Sequence, residues 1–132
     1  MPTLFTKIIS GEIPCHKVME DKDHLAFLDI RPVKRGHTLV IPKKESDYLF
    51  ALADEELCAL MRFAKKAAVR LKKAVPCKRV GVMVAGLEVP HTHVHLIPMD
   101  SVRDLNFANA QTASAEELAQ TSEAIRQAGQ ED

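Results

Sequence analysis

Three histidines recur at every second position, His91, His93 and His95, inside the run Pro90-His91-Thr92-His93-Val94-His95-Leu96-Ile97-Pro98. The spacing matters more than the number. Side chains two apart on a β-strand leave the same face. A strand here would present all three imidazoles together and turn Val94 and Leu96 into a core. Near neutral pH an imidazole can act as nucleophile, proton carrier or metal ligand. The spacing alone therefore admits three readings: solvated rings on a surface strand, a metal-binding histidine cluster, or a catalytic set. No cysteine or acidic cluster lies beside the triplet, so no metal is expected. His37 adds a fourth candidate, because it opens another apolar run just after Gly36, where the backbone can turn tightly. His16 and His24 have no such setting and are expected at the surface.

The elements that must hold these rings can be read from pattern. Thr3 is placed to cap a short helix over 4–10 that ends at Gly11, with Leu4, Phe5 and Ile8 on one face. Residues 17–20 and 24–30 read as a strand pair joined by the polar Asp21-Lys22-Asp23. A loop punctuated by Pro32 and Gly36 leads to a third strand, 37–41. From about Asp54 to Ala74, Leu57, Leu60, Met61, Ala64, Ala67, Ala68 and Leu71 fall at helical spacing. Val80, Val82 and Val84 alternate as a fourth strand, and 91–99 forms the fifth. Ser114-Ala115-Glu116-Glu117 is a capping-box pattern opening a last helix to about Gln127. The sum is an α+β fold, a five-stranded antiparallel meander with one long helix and short terminal helices.

Composition narrows the partners. The 132 residues are 46% hydrophobic, enough for the core of one domain over 1–132. Eighteen basic and eighteen acidic residues cancel, which argues against a general nucleic-acid footprint. The three cysteines are odd in number and far apart, so reduced thiols are expected rather than a disulfide framework. No signal-like segment opens the chain and no apolar run is long enough for a membrane span. A soluble, cytoplasmic protein is the expectation.

Four stretches together resemble the histidine triad (HIT) family, close to its Hint-like branch in a bacterial form. They are Leu4-Phe5-Thr6-Lys7-Ile8-Ile9-Ser10-Gly11-Glu12-Ile13-Pro14, Ala26-Phe27-Leu28-Asp29-Ile30, Gly36-His37-Thr38-Leu39-Val40-Ile41-Pro42-Lys43 and Val89 to Pro98. The resemblance covers about residues 3–99 and leaves a C-terminal helical extension of about 104–132. It implies a HIT-like fold that binds a purine nucleoside monophosphate derivative and acts at its α-phosphate. Phosphoramidates, dinucleoside polyphosphates and nucleotide sugars are the implied substrates. His93 matches the family's nucleophile, which forms a covalent nucleotidyl-histidine. Its other nitrogen needs a proton acceptor, and a backbone carbonyl would suit. By the same match, His91 and His95 donate to phosphate oxygens and His37 reaches the same phosphate. Asp29 matches the carboxylate that takes both ribose hydroxyls. Phe5, Ile8, Phe27 and Ile30 match the apolar surround of the base, with Leu4 at its edge and Val89 just before the triad. The resemblance implies no cofactor and a homodimer built on the long helix and one sheet edge.

Two positions depart from that pattern. The Asn or Gln found eleven residues before the first triad histidine is Val80 here, and the Ser or Thr three residues before it is Glu88. Valine cannot donate a hydrogen bond, and an ionised glutamate can only accept one. Three readings of Glu88 follow: a protonated carboxyl when substrate binds, a recognition element for a cationic leaving group, or a loop tether facing away. A non-catalytic nucleotide-binding or interaction protein is the alternative to an enzyme.

Overall fold

The computed structural model of the protein describes residues 3–130. Residues 1–2 and 131–132, the ends of the expected domain, lie outside the described residues. The chain runs α1 (Leu4–Ser10), β1 (Lys17–Glu20), β2 (His24–Leu28), β3 (Thr38–Pro42), α2 (Asp54–Ala74), β4 (Arg79–Met83), β5 (Val94–Met99) and α3 (Ala115–Gln130). Short 3-10 turns occupy Leu49–Ala51, Val102–Asp104 and Phe107–Asn109. The strands form one antiparallel sheet in the order β1-β2-β3-β5-β4.

The α+β class holds, but the sheet is not a simple meander. The β4–β5 hairpin folds back, so β5 lies beside β3 and β4 takes the edge. Burial explains the order. Val94 to Pro98 is buried throughout, and a strand covered on both faces belongs in the middle of a sheet. β4 is only half-buried or exposed along its length and tolerates the edge.

Period-two alternation separates two apolar layers. Ala26, Leu28, Val40, Val94 and Leu96 pack beneath α2 and α3. Leu25, Phe27, Leu39 and Ile41 face the other way and meet Phe5 of α1. Because Val94 and Leu96 point to the long helix, His95 must point to the α1 side.

The helices follow their local signals. Thr3 Oγ1 accepts the Thr6 N–H at 3.1 Å, and Gly11, at φ 87°, closes the C-terminal end of α1. Leu4 departs from the expected shared face: it is about half exposed while Phe5 is buried. The helix instead turns Phe5, Ile8 and Ile9 toward the sheet. On α2, Phe63 takes a buried place and Met61 faces outward. Phe63 explains a second correction. His24, expected at the surface, is buried, stacked on the Phe63 ring at 5.0 Å, with Nδ1 2.9 Å from Asp21 Oδ1. Ser114 Oγ accepts the Glu117 N–H at 3.1 Å, and α3 continues to Gln130 rather than stopping near 127. Among the described residues no helix is long and apolar enough to cross a membrane.

Candidate active site

Only one of the three alternating histidines lies in a strand. β2 stops at Leu28, β3 starts at Thr38 and β5 starts at Val94, so Asp29, His37, His91 and His93 all sit just outside strand ends. The single-strand reading of the triplet is therefore corrected. The turn before β5 is held by Ser46, whose carbonyl accepts both the Thr92 N–H and the Thr92 hydroxyl. That turn sends the His91 and His93 rings to different surroundings.

The hydrogen bonds assign the tautomers. A carbonyl can only accept, so His91 Nε2 donates to Pro42 O at 2.8 Å. His91 Nδ1 is then the acceptor, and the Thr3 hydroxyl donates to it at 3.0 Å. Both nitrogens of this fully buried ring are used up inside the fold. The expectation that His91 donates to phosphate is thus corrected: its ring knits α1 and β3 together, and its backbone does the local work. His93 Nδ1 donates to His91 O at 2.8 Å, so in the neutral ring Nε2 carries the lone pair. The expected carbonyl acceptor is His91's own.

A second pair is fixed in the same way. The Val33 N–H donates to His37 Nδ1 at 3.0 Å, so the proton of neutral His37 is on Nε2. That atom donates to His95 Nδ1 at 2.9 Å and leaves the His95 proton on Nε2. Burial lowers the His37 pKa against the opposing pull of Asp29, whose Oδ2 lies 3.8 Å from Nε2. Burial, then the charges that His37 and His93 would carry, lower His95 to about 3. Both rings of this pair are neutral at pH 7. Register supports the pairing: His95 lies opposite Leu39 of β3 and Met83 of β4, and the Asp29 N–H donates to His37 O at 3.0 Å.

Asp29, His37 and His95 also bring potential ligand atoms within 4.8 Å of one another. The donor set fits a metal poorly. A metal at His37 Nε2 would need the proton moved to Nδ1, where the Val33 N–H already points.

A cavity of about 420 Å³ opens beside this constellation, within the range of small-molecule sites. His37, His93, His95 and Asp29 line it, with Ile30, Arg31, the Ala85–Glu88 loop, Phe107 and Ala110. Phe5, Ile8, Phe27 and Val89 do not line this cavity; they form or abut the apolar layer under α1. Phe5 meets the His93 ring at 5.0 Å and backs it from that layer. Leu4 is exposed and outside the lining as well. Glu88 is among the residues that line the cavity, on its exposed rim. Val80 is not at the cavity. It pairs with Pro98, shares the sheet face of Leu96 and packs on the core under α2, opposite to His95. Its place on the far face follows from the pleat. Sequence reasoning missed Thr3 as a partner of His91 and Phe107 as a neighbour of His95. The cap motif marked Thr3, but nothing local points to a contact 88 residues away.

Residues 10–102 match the sequence model of the HIT domain. A HIT-like protein of Methanocaldococcus jannaschii is 46% identical over 99 residues, which cover 72% of this chain and 77% of that one. The adenosine 5'-monophosphoramidase of Schizosaccharomyces pombe is 38% identical over 103 residues, 74% of each chain. Among solved structures, a HIT-like protein from Bartonella henselae superposes with a TM-score of 0.84 at 36% identity. It covers 96% of this chain and 95% of its own.

Proposed function

The chain belongs to the histidine triad (HIT) family, and we propose that it is a nucleotide hydrolase or nucleotidyl transferase of the phosphoramidase type. It acts at the α-phosphate of nucleoside monophosphate derivatives, phosphoramidates or dinucleoside polyphosphates, through a covalent nucleotidyl-His93. The 2.8 Å bond from His93 Nδ1 to the His91 carbonyl carries this reading. It commits the ring proton to the buried side and leaves Nε2 as a fixed nucleophile at the cavity.

In the first step a bond forms between His93 Nε2 and the α-phosphorus, and the bond to the leaving group breaks. The attacked imidazole becomes positive, and the His91 carbonyl dipole at Nδ1 steadies that charge. His95 offers its Nε2–H to a phosphate oxygen, with His37 fixing that tautomer. The departing amine takes a proton from solvent. Water then attacks the nucleotidyl-histidine, yields the nucleoside monophosphate and returns one proton. Asp29 accepts the ribose hydroxyls at the cavity edge, beside Ile30. Glu88 lines the cavity, and in this reading its carboxylate attracts a cationic leaving group. Likeness to the S. pombe adenosine 5'-monophosphoramidase makes an adenosine phosphoramidate the first substrate to try.

The same reading extends to a homodimer joined along β4 in a cytoplasmic setting, with the three cysteines free. The deciding experiment is turnover of adenosine 5'-phosphoramidate with rapid acid-free quenching and mass spectrometry. Wild type forms a nucleotidyl adduct on His93, and His93→Ala loses at least about 10³-fold in kcat with no adduct. Nucleotide binding without turnover or adduct would establish the non-catalytic alternative.

A further inference from the structure

A second cavity, of about 520 Å³, lies across the Asp29–His37 pair from the first and is larger than it. Asp29 and His37 line both, because they stand past the strand ends, where the sheet no longer separates its two faces. The rest of the second wall is different. Leu28 and Leu118, from the apolar layer under α2 and α3, form part of it. Arg35 comes from the β2–β3 loop, and Glu117 and Thr121 come from α3. The α3 residues lie beyond the 10–102 family match, so the extension of this chain builds half of the cavity. Two backbone bonds strap that extension to the loop: Gln111 N–H to Pro32 O at 3.2 Å and Ala113 N–H to Ile30 O at 3.3 Å.

Three polar side chains in this wall are uncommitted. Thr121 is 3% exposed, and among the described residues nothing bonds its hydroxyl. No wholly buried side-chain N or O among those residues lacks a partner, so the trace of surface Thr121 keeps is at its hydroxyl, which opens on the cavity. A nearly buried hydroxyl without a partner costs free energy that a ligand can recover. Arg35 and Glu117 are exposed at the rim, and neither side chain has an ion pair or hydrogen bond among the described residues. Lys34, also in the wall, is drawn off by Asp104 and Asp100, 3.8 and 4.0 Å from its ammonium.

We propose that this cavity binds a free amino acid, a small aliphatic zwitterion. Its carboxylate lies on the Arg35 guanidinium and the Thr121 hydroxyl, its ammonium on Glu117, and its side chain against Leu28 and Leu118. The proposal stands apart from the phosphoramidase reading. One free cation and one free carboxylate select a ligand with both charges: a simple anion meets repulsion from Glu117, and a simple cation meets it from Arg35. No Phe, Tyr or Trp lines the cavity, so it offers a flat ring or a nucleobase nothing to stack on. Its volume is within the range of small-molecule sites. Val33 lines it too, and the Val33 N–H holds His37 Nδ1, so an occupant packs against the loop that sets the His37 proton.

The test screens the standard aliphatic L-amino acids against the intact protein by saturation-transfer NMR and measures the strongest binder by calorimetry. At least one binds with a Kd below about 1 mM. Arg35→Gln and Glu117→Gln each weaken it at least about tenfold, and Thr121→Val about fivefold. Binding persists in excess AMP. The proposal is overturned if no amino acid reaches that affinity, or if both charge variants bind within about twofold of wild type. Acetate or methylammonium binding as tightly as the amino acid overturns the zwitterion, and displacement by AMP overturns the location by placing the ligand beside His93. Thermal melts separate a lost fold from a lost site, and the two charge variants change exposed side chains only.

Discussion

At the scale of single residues, the site is a matter of which nitrogen carries the proton. His91 surrenders both nitrogens to the fold, so that its carbonyl can fix His93. Thr3 is the far end of that arrangement. Replacing it with Val removes the helix cap and the donor to His91 together. The expected cost is about 1–2 kcal/mol in urea denaturation, with a fall in kcat/KM. The neutral pair makes stability depend on pH in a definite sense. His95 is held at about 3, below the ordinary 6.5, and His37 is lowered too. Between those values the unfolded chain takes up protons that the folded chain refuses. Stability is therefore full above about pH 6.5 and declines as pH falls toward 3. Calorimetry from pH 7.5 to 5.0 is expected to record a Tm drop of about 5 °C. His95→Asn, which cannot titrate, makes that slope shallower.

At the scale of elements, strand ends rather than strand middles position the chemistry. The β2–β3 loop brings Asp29 back to His37, and Gly36 makes the return possible. Its φ is +92°, and an added Cβ would lie 3.0 Å from both Leu71 Cδ1 and Val75 Cγ2. Gly36→Ala is expected to cost about 2–3 kcal/mol, read as a lower urea midpoint with an unchanged m-value. The glycine, the helix caps and the α2 span were legible beforehand because each is a local signal. The sheet order was not. Hairpin turns specify neighbours in sequence, whereas the insertion of β5 beside β3 satisfies burial on both of its faces. Val80 was misplaced for the same reason: counting residues back from His91 ignores which face the pleat assigns.

At the scale of the whole molecule, the two outer strands are treated differently. β1 has an irregular register, a Lys17–Glu20 ion pair at 2.6 Å, and Arg126 donating to the Lys17 carbonyl. These are devices that protect an edge. β4 has Val82 half exposed, and Val69 on α2 is similarly open. The proposed homodimer closes this edge by symmetric pairing. Light scattering is expected to give twice the chain mass for wild type and the single-chain mass for Val82→Lys. A wild-type monomer at assay concentrations would remove the dimer from the proposal.

The sequence by itself determined the family, the α+β class, the cap and turn chemistry and the choice of His37, His91, His93 and His95 as candidates, because these depend on residue type at short range. Tertiary structure decided what each ring does. His91 was turned inward by Pro42 and Thr3, His37 was set on His95 by Val33, and Phe107 was carried to the cavity by a strap over the β2–β3 loop. A proton's location depends on the partner of the opposite nitrogen, and those partners lie up to 88 residues away. No local pattern encodes such distances, and only packing brings them within 3 Å.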